Sequence, residues 1–182
     1  LISKLTSAQS TLCLNDVSVV KFKRNSLINK AYGSTIDESF KISDIQREEN
    51  KKEVIVSATH NAYLKNFGYL HKREIKFLKK ENILQGKDFL LKKNSNQDKT
   101  NFSIRFHIYP GIEAFKTVGG NDILLQISKN NSLVFSVKNQ NIQIEKSLFL
   151  GRSRILNNNC IVIYGSTLSQ DKTIEWELKE TT

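Results

Sequence analysis

The chain's three histidines are the first place to look for chemistry, because imidazole alone changes charge near neutral pH and can also donate, accept or bind a metal. Two of them, His60 and His71, lie in SATHNAYLKNFGYLHKREI, residues 57 to 75, with Tyr63, Phe67, Tyr69 and the basic triplet His71, Lys72, Arg73. The third, His107, follows Arg105 by two residues in RFHIYPG. His60 ends the run VIVSATH, where an imidazole bonded to a turn carbonyl is the structural expectation. His71 falls in line with Tyr69, Arg73, Ile75 and Phe77 on one strand face. Arg105 and His107 share a face that must meet solvent, another sheet or another domain, and the guanidinium beside His107 argues against a bound cation there.

Other common chemistries find no support. G-x-x-x-x-G-K-[ST], G-x-G-x-x-G, H-E-x-x-H and G-x-S-x-G are all missing from the sequence, so phosphate-cradle, dinucleotide, zincin and nucleophile-elbow sites are not expected. Cys13 and Cys160 are far apart and sit inside the apolar runs TLCLN and NCIVIY. They read as buried free thiols, without metal-ligand spacing.

The elements that must position these residues are strands. FSIRFHIYP alternates, with Phe102, Ile104, Phe106 and Ile108 on one face and Ser103, Arg105, His107 and Tyr109 on the other, as a half-buried strand requires. The same period of two runs through EVIVSATH, DILLQIS, SLVFSVKN, NIQIEKSLFL, CIVIYG and TIEWELK. Between them fall KKNSNQDKTN, VGGND, SKNNS, KNQN and RILNNNC, read as breaks. With 18 Asn against 8 Gly and a single Pro, asparagine supplies many of the turns, since its side chain tolerates left-handed backbone. SDIQREENKKE carries charge but no apolar stripe and reads as a loop. About a dozen strands joined by short turns form an antiparallel meander that must fold onto itself. The expectation is an all-β, antiparallel β-sandwich of the supersandwich kind, with little or no helix, as one domain over residues 1–182.

Net charge is +10, with 38% hydrophobic and 25% charged residues. A polyanionic partner would suit that charge, but the lysines alternate with apolar strand positions and read first as solvated faces. The RNP-type aromatic pattern of nucleic-acid platforms is missing, so nucleic acid is an unlikely partner. No apolar run approaches the roughly 20 residues that cross a bilayer, and membrane partners are not expected. The opening LISKLTSAQS has no basic n-region before an apolar stretch. A chain that starts at Leu1 and has no Met anywhere reads as a piece of something longer.

Taken in order, SATHNAYLKNFGYLHKREI, QGKDFLL, FSIRFHIYPGI, IEKSLFLGRSR and IEWELK resemble the C-terminal β-sandwich of bacterial heparinase II/III-like proteins, nearly end to end. The most specific elements are H-x-x-Y (His60, Tyr63), F-G-x-x-H-[KR]-R (Phe67, Gly68, His71, Arg73) and R-F-H-x-x-P-G (Arg105, His107, Pro110, Gly111). The resemblance implies a polysaccharide lyase that cleaves uronate-containing, possibly sulfated, glycans by β-elimination. Its other implied partner is an N-terminal α/α toroid of the same protein, carrying most of the catalytic groups, and a periplasmic or cell-envelope setting would follow.

No catalytic residue is expected within this chain. His60, Tyr63, His71, Arg73, Arg105 and His107 are the candidate substrate-binding residues. SAQSTLCLND resembles a segment in which some relatives use a histidine to bind a structural divalent metal; Gln9 stands in that place and is a poor zinc ligand. No cofactor or metal is expected in this chain. The alternatives are a non-catalytic carbohydrate-binding or structural module and, more weakly, a basic nucleic-acid-binding domain.

Overall fold

The computed structural model describes residues 5–22, 40–94, 99–151 and 154–181. Two antiparallel sheets make up the structure. The smaller has four strands in the order β1 (Leu12–Leu14), β6 (Lys99–His107), β11 (Arg154–Leu168), β10 (Asn141–Gly151). The larger has eight, ordered β2 (Ile42–Glu49), β3 (Glu53–His60), β4 (Tyr69–Leu78), β5 (Ile83–Lys92), β12 (Lys172–Glu180), β9 (Asn131–Val137), β8 (Asp122–Ser128), β7 (Glu113–Lys116). The expected all-β sandwich of about a dozen strands is what forms.

Alternation decides which side of each strand is dry. From the small sheet Leu12, Leu14, Phe102, Ile104, Ile142, Ile161 and Ile163 point inward, and Tyr69, Leu90, Ile123, Phe135, Ile174 and Trp176 meet them from the large sheet in one apolar cluster. Burying that apolar area is the main force holding the sheets together. The two buried tyrosines need partners for their hydroxyls. Tyr63 donates to the Leu12 carbonyl at 2.8 Å, and Tyr69 lies 3.2 Å from the Thr167 hydroxyl. Cys13 and Cys160 are both buried free thiols, as the apolar runs around them predict, and burial pushes the Cys160 thiol up to about 11.

Two segments depart from the sequence reading. SDIQREE lies in strand β2, although every one of that strand's eight residues is exposed. It has no apolar stripe because no layer covers it, and its backbone is held by pairing with β3. A register shift between Ser43 and Gln46, with Asp44 at φ 50°, irregularises this edge, a common guard against further strand addition. RILNNNC is not a break but the start of β11. Asn157, Asn158 and Asn159 pair with Leu148, Ser147 and Lys146, so ladder bonds override the turn preference of asparagine. VGGND, SKNNS and KNQN do fall at strand ends, while the expected break in KKNSNQDKTN lies partly outside the described residues.

The link between β3 and β4 positions the histidine-rich stretch. It contains a single helical turn, Leu64–Phe67, ended by Gly68 at φ 72°. That left-handed backbone favours glycine, and a Cβ there would also sit 1.6 Å from Asn94 Oδ1 and force that side chain to move.

Candidate functional site

Register brings His60 and His71 directly opposite each other on β3 and β4, and Arg73 opposite Asp88 on β5. All four project from the inner face of the large sheet. Asp88 is completely buried. Its Oδ1 accepts from His71 Nε2 at 2.7 Å and Arg73 Nε at 2.8 Å, and its Oδ2 from Arg73 Nη2 and Trp176 Nε1, both at 3.0 Å. An ionised carboxylate survives in an apolar interior only when so surrounded. Burial pushes the Asp88 carboxyl up, but the His71 hydrogen bond and the Arg73 guanidinium outweigh it and hold it down at about 2.

The hydrogen-bond directions follow from one fixed donor. The Ala62 amide donates to His60 Nδ1 at 3.3 Å, so His60 carries its proton on Nε2 and donates to His71 Nδ1 at 3.0 Å. His71 then donates from Nε2 to Asp88. Every ring nitrogen is satisfied in this order. His60 is therefore anchored by a turn amide and a second imidazole, where the sequence reading had a turn carbonyl. Burial, with the neighbouring His71 and Arg73, holds His60 down at about 4.

Arg73 also fastens the N-terminal segment. Its Nη1 donates to the Ser10 carbonyl at 2.6 Å, and its guanidinium lies 5.8 Å from the Phe106 ring centre. Gly86, opposite Trp176, makes the arrangement possible: a Cβ there would stand 2.0 Å from Trp176 Cζ2. The indole occupies the space a side chain would take, and its N–H thereby reaches Asp88.

Of the six candidate residues, His60, His71 and Arg73 form this one cluster. Tyr63 abuts it, its ring centre 5.5 Å from that of His60, with its hydroxyl turned to the Leu12 carbonyl. Tyr63 and His71 are 1% and 2% exposed. Arg105 and His107 belong to the other sheet. Arg105 bonds the Ser103 hydroxyl and lies 3.8 Å from Asp16. His107 donates from Nε2 to the Ser7 carbonyl at 3.1 Å and accepts at Nδ1 from the Ser147 hydroxyl at 3.0 Å.

Gln9 borders a cavity with Ser10, His107 and Asn158. Both nitrogens of His107 are engaged by the protein, and among the described residues no group of three His, Cys, Asp or Glu could hold a metal ion.

Asp88, Trp176 and Gly86 are the members that sequence reasoning did not select. A signal existed: in QGKDFLL the inward positions are Gly86, Asp88 and Leu90, and an acid at an inward strand position demands a buried cation or donor. The site as built saturates its only carboxylate with four donors. It is a clamp, tying β3, β4, β5, β12 and the N-terminal segment together, rather than a group poised for proton transfer.

The two sheets define an antiparallel β-sandwich of twelve strands among the described residues. The family model described as "Heparinase II/III-like, C-terminal" matches residues 2–177, and the chain belongs to that family. No curated protein matches the chain. Among solved structures, heparan sulfate lyase HepC from Pedobacter heparinus is 13% identical with a TM-score of 0.73. The heparinase III BT4657 gene product is 9% identical with a TM-score of 0.68. Each alignment covers 97% of this chain but only 24% of the other, so the chain spans about a quarter of those proteins.

Proposed function

We propose that this chain is the sandwich domain of a lyase that cleaves uronate-containing polysaccharides, packed on a helical toroid that supplies the catalytic groups. The observation that carries the reading is the family match over residues 2–177, joined to a fold shared across 97% of the chain. In β-elimination a base removes the C5 proton of a uronate whose carboxylate is neutralised. The C4–O4 bond breaks as an acid protonates the leaving oxygen, and a C4=C5 double bond remains. Nothing in the clamp around Asp88 is free for those steps, which supports assigning them to the toroid and assigning this domain to the wall of the cleft.

The six candidates divide by geometry in this reading. Tyr63, His71 and Arg73 hold the frame. His60, Arg105 and His107 contact the glycan. The net charge of +10 favours an acidic chain. The test is the intact protein, toroid included, assayed on heparan sulfate and on unsulfated uronate polymers by the ultraviolet absorbance of the unsaturated product. Activity lost on removing the upstream toroid and weakened by H60A or H107A is the expected result. Absence of unsaturated product from every uronate polymer would return the domain to the second reading, a non-catalytic glycan-binding module, which the same charge supports.

A further inference from the structure

The outer face of the small sheet, turned away from the Asp88 clamp, carries a concavity that the lyase reading does not use. Register sets Asn101 opposite Ser166, Ser103 opposite Tyr164, and Tyr164 opposite Asn141. At the edge, Asn15 and Asp16 both adopt left-handed backbone, with φ of 45° and 55°. They curl back over β6: Asn15 Oδ1 accepts from the Asn101 amide at 2.9 Å, and the Asn15 amide donates to the Asn101 carbonyl at 3.0 Å. Together these residues border a cavity of about 430 Å³. Ser103, Ser166, the Asn101 and Asn141 amides, Tyr164 and Phe102 are among the residues that line it.

What lines the cavity is chemically specific. Among the described residues, none hydrogen-bonds the side chains of Asn101, Asn141 or Ser166. Two amides and a hydroxyl therefore present paired donors and acceptors to whatever enters, a match for vicinal sugar hydroxyls. Tyr164 donates its hydroxyl to Glu145, which fixes the phenol and leaves the ring as an apolar surface for the C–H face of a sugar. Charge argues against an acidic ligand. Asp16 is the charged residue among those that line it, Glu145 lies against Tyr164, and Arg105 is already bonded to Ser103 and 3.8 Å from Asp16.

We infer that this concavity is a second saccharide site that takes uncharged sugar units, distinct in charge preference from the Arg105 and His107 surface further along the same face of β6. It would hold a neutral stretch of a polysaccharide, or a neutral neighbouring chain, while the acidic stretch lies elsewhere.

The test titrates the intact protein with cello-, malto- and chito-oligosaccharides, followed by saturation-transfer NMR and calorimetry. Binding of at least one of them in the millimolar range is expected. The exposed double variant N101A/N141A, with an unchanged melting temperature, should weaken that binding tenfold or more. Heparan sulfate oligosaccharides at physiological salt should not displace the neutral sugar, and lyase activity of the double variant should stay at the parental level. No binding of any of the three neutral series overturns the inference. So does binding that survives the double variant, or displacement by heparan sulfate, which would merge the site with the acidic wall. The neutral-sugar result is scored independently of lyase turnover, so failure of the lyase reading is seen separately.

Discussion

His71 and Arg73 on β4 and Arg105 and His107 on β6 are the same sequence pattern, a basic side chain and an imidazole two residues apart on one strand face. The arginines are almost equally covered, with side chains 19% and 15% exposed. What separates the two regions is the carboxylate each meets. Asp88 is fully buried and accepts two guanidinium hydrogen bonds, at 2.8 and 3.0 Å, with further bonds from His71 and Trp176. Asp16 is 81% exposed and stands 3.8 Å from Arg105. A buried, fully bonded pair is dangerous to break, because removing one partner strands charge or donors in the interior. An exposed pair is screened and contributes little. The lesson is that an Arg-His strand motif becomes framework only where the neighbouring strand supplies an inward acid.

The sharpest way to break this comparison is at the carboxylates. Asp88→Ala should destabilise the fold by about 3–5 kcal/mol, while Asp16→Ala should change it by less than about 1 kcal/mol. Urea denaturation of both variants decides the matter; similar midpoints would show that burial does not distinguish the two clusters. Next in size is Gly86→Ala, which must displace the Trp176 indole and pull its N–H from Asp88. Overpacking of this kind costs about 1–3 kcal/mol, and tryptophan fluorescence should report the altered indole environment.

The pH dependence sharpens the contrast further. His60 is held at about 4 against an ordinary 6.5, so between those values the unfolded chain takes up a proton that the folded one refuses. Stability therefore falls as pH drops from about 6.5 towards 4, by up to about 3 kcal/mol. Asp88, held at about 2 from 3.8, acts lower: its contribution is present above about pH 4 and lost as pH falls towards 2. His60→Asn should flatten the upper part of a stability-against-pH curve and leave the lower part in place. An unchanged slope between pH 6.5 and 4 in that variant would remove His60 from the account. A smaller effect than at Asp88 is expected for His107→Ala, which loses bonds to Ser7 and Ser147 near the surface, worth about 0.5–1.5 kcal/mol each. Thermal melting suffices to measure it.

Much of the framework was legible from alternation. FSIRFHIYP placed Phe102, Ile104 and Ile108 inside and Arg105 with His107 on the opposite face, and the register agrees. The reading failed where period two carries no information. β2 is wet on all eight residues and shows no apolar stripe, while the asparagines of RILNNNC look like a turn until β10 is there to pair with them. The clamp was half legible. His60, His71 and Arg73 stood out by type, but Asp88 and Trp176 lie 88 residues apart in the chain, and no local pattern links them.

By itself the sequence determined the class of fold, the dry and wet faces of most strands, the family signature and the buried state of both cysteines. Those properties depend on the side-chain period of two and on local turn chemistry, which are written residue by residue. Only the tertiary structure decided that Gly86 exists to admit an indole, that four donors converge on Asp88, and that Asn15 and Asp16 close over Asn101 and Tyr164. Each of these depends on which strands become neighbours and in what register. That choice is made by the folding of two sheets around one core, not by any single stretch of chain.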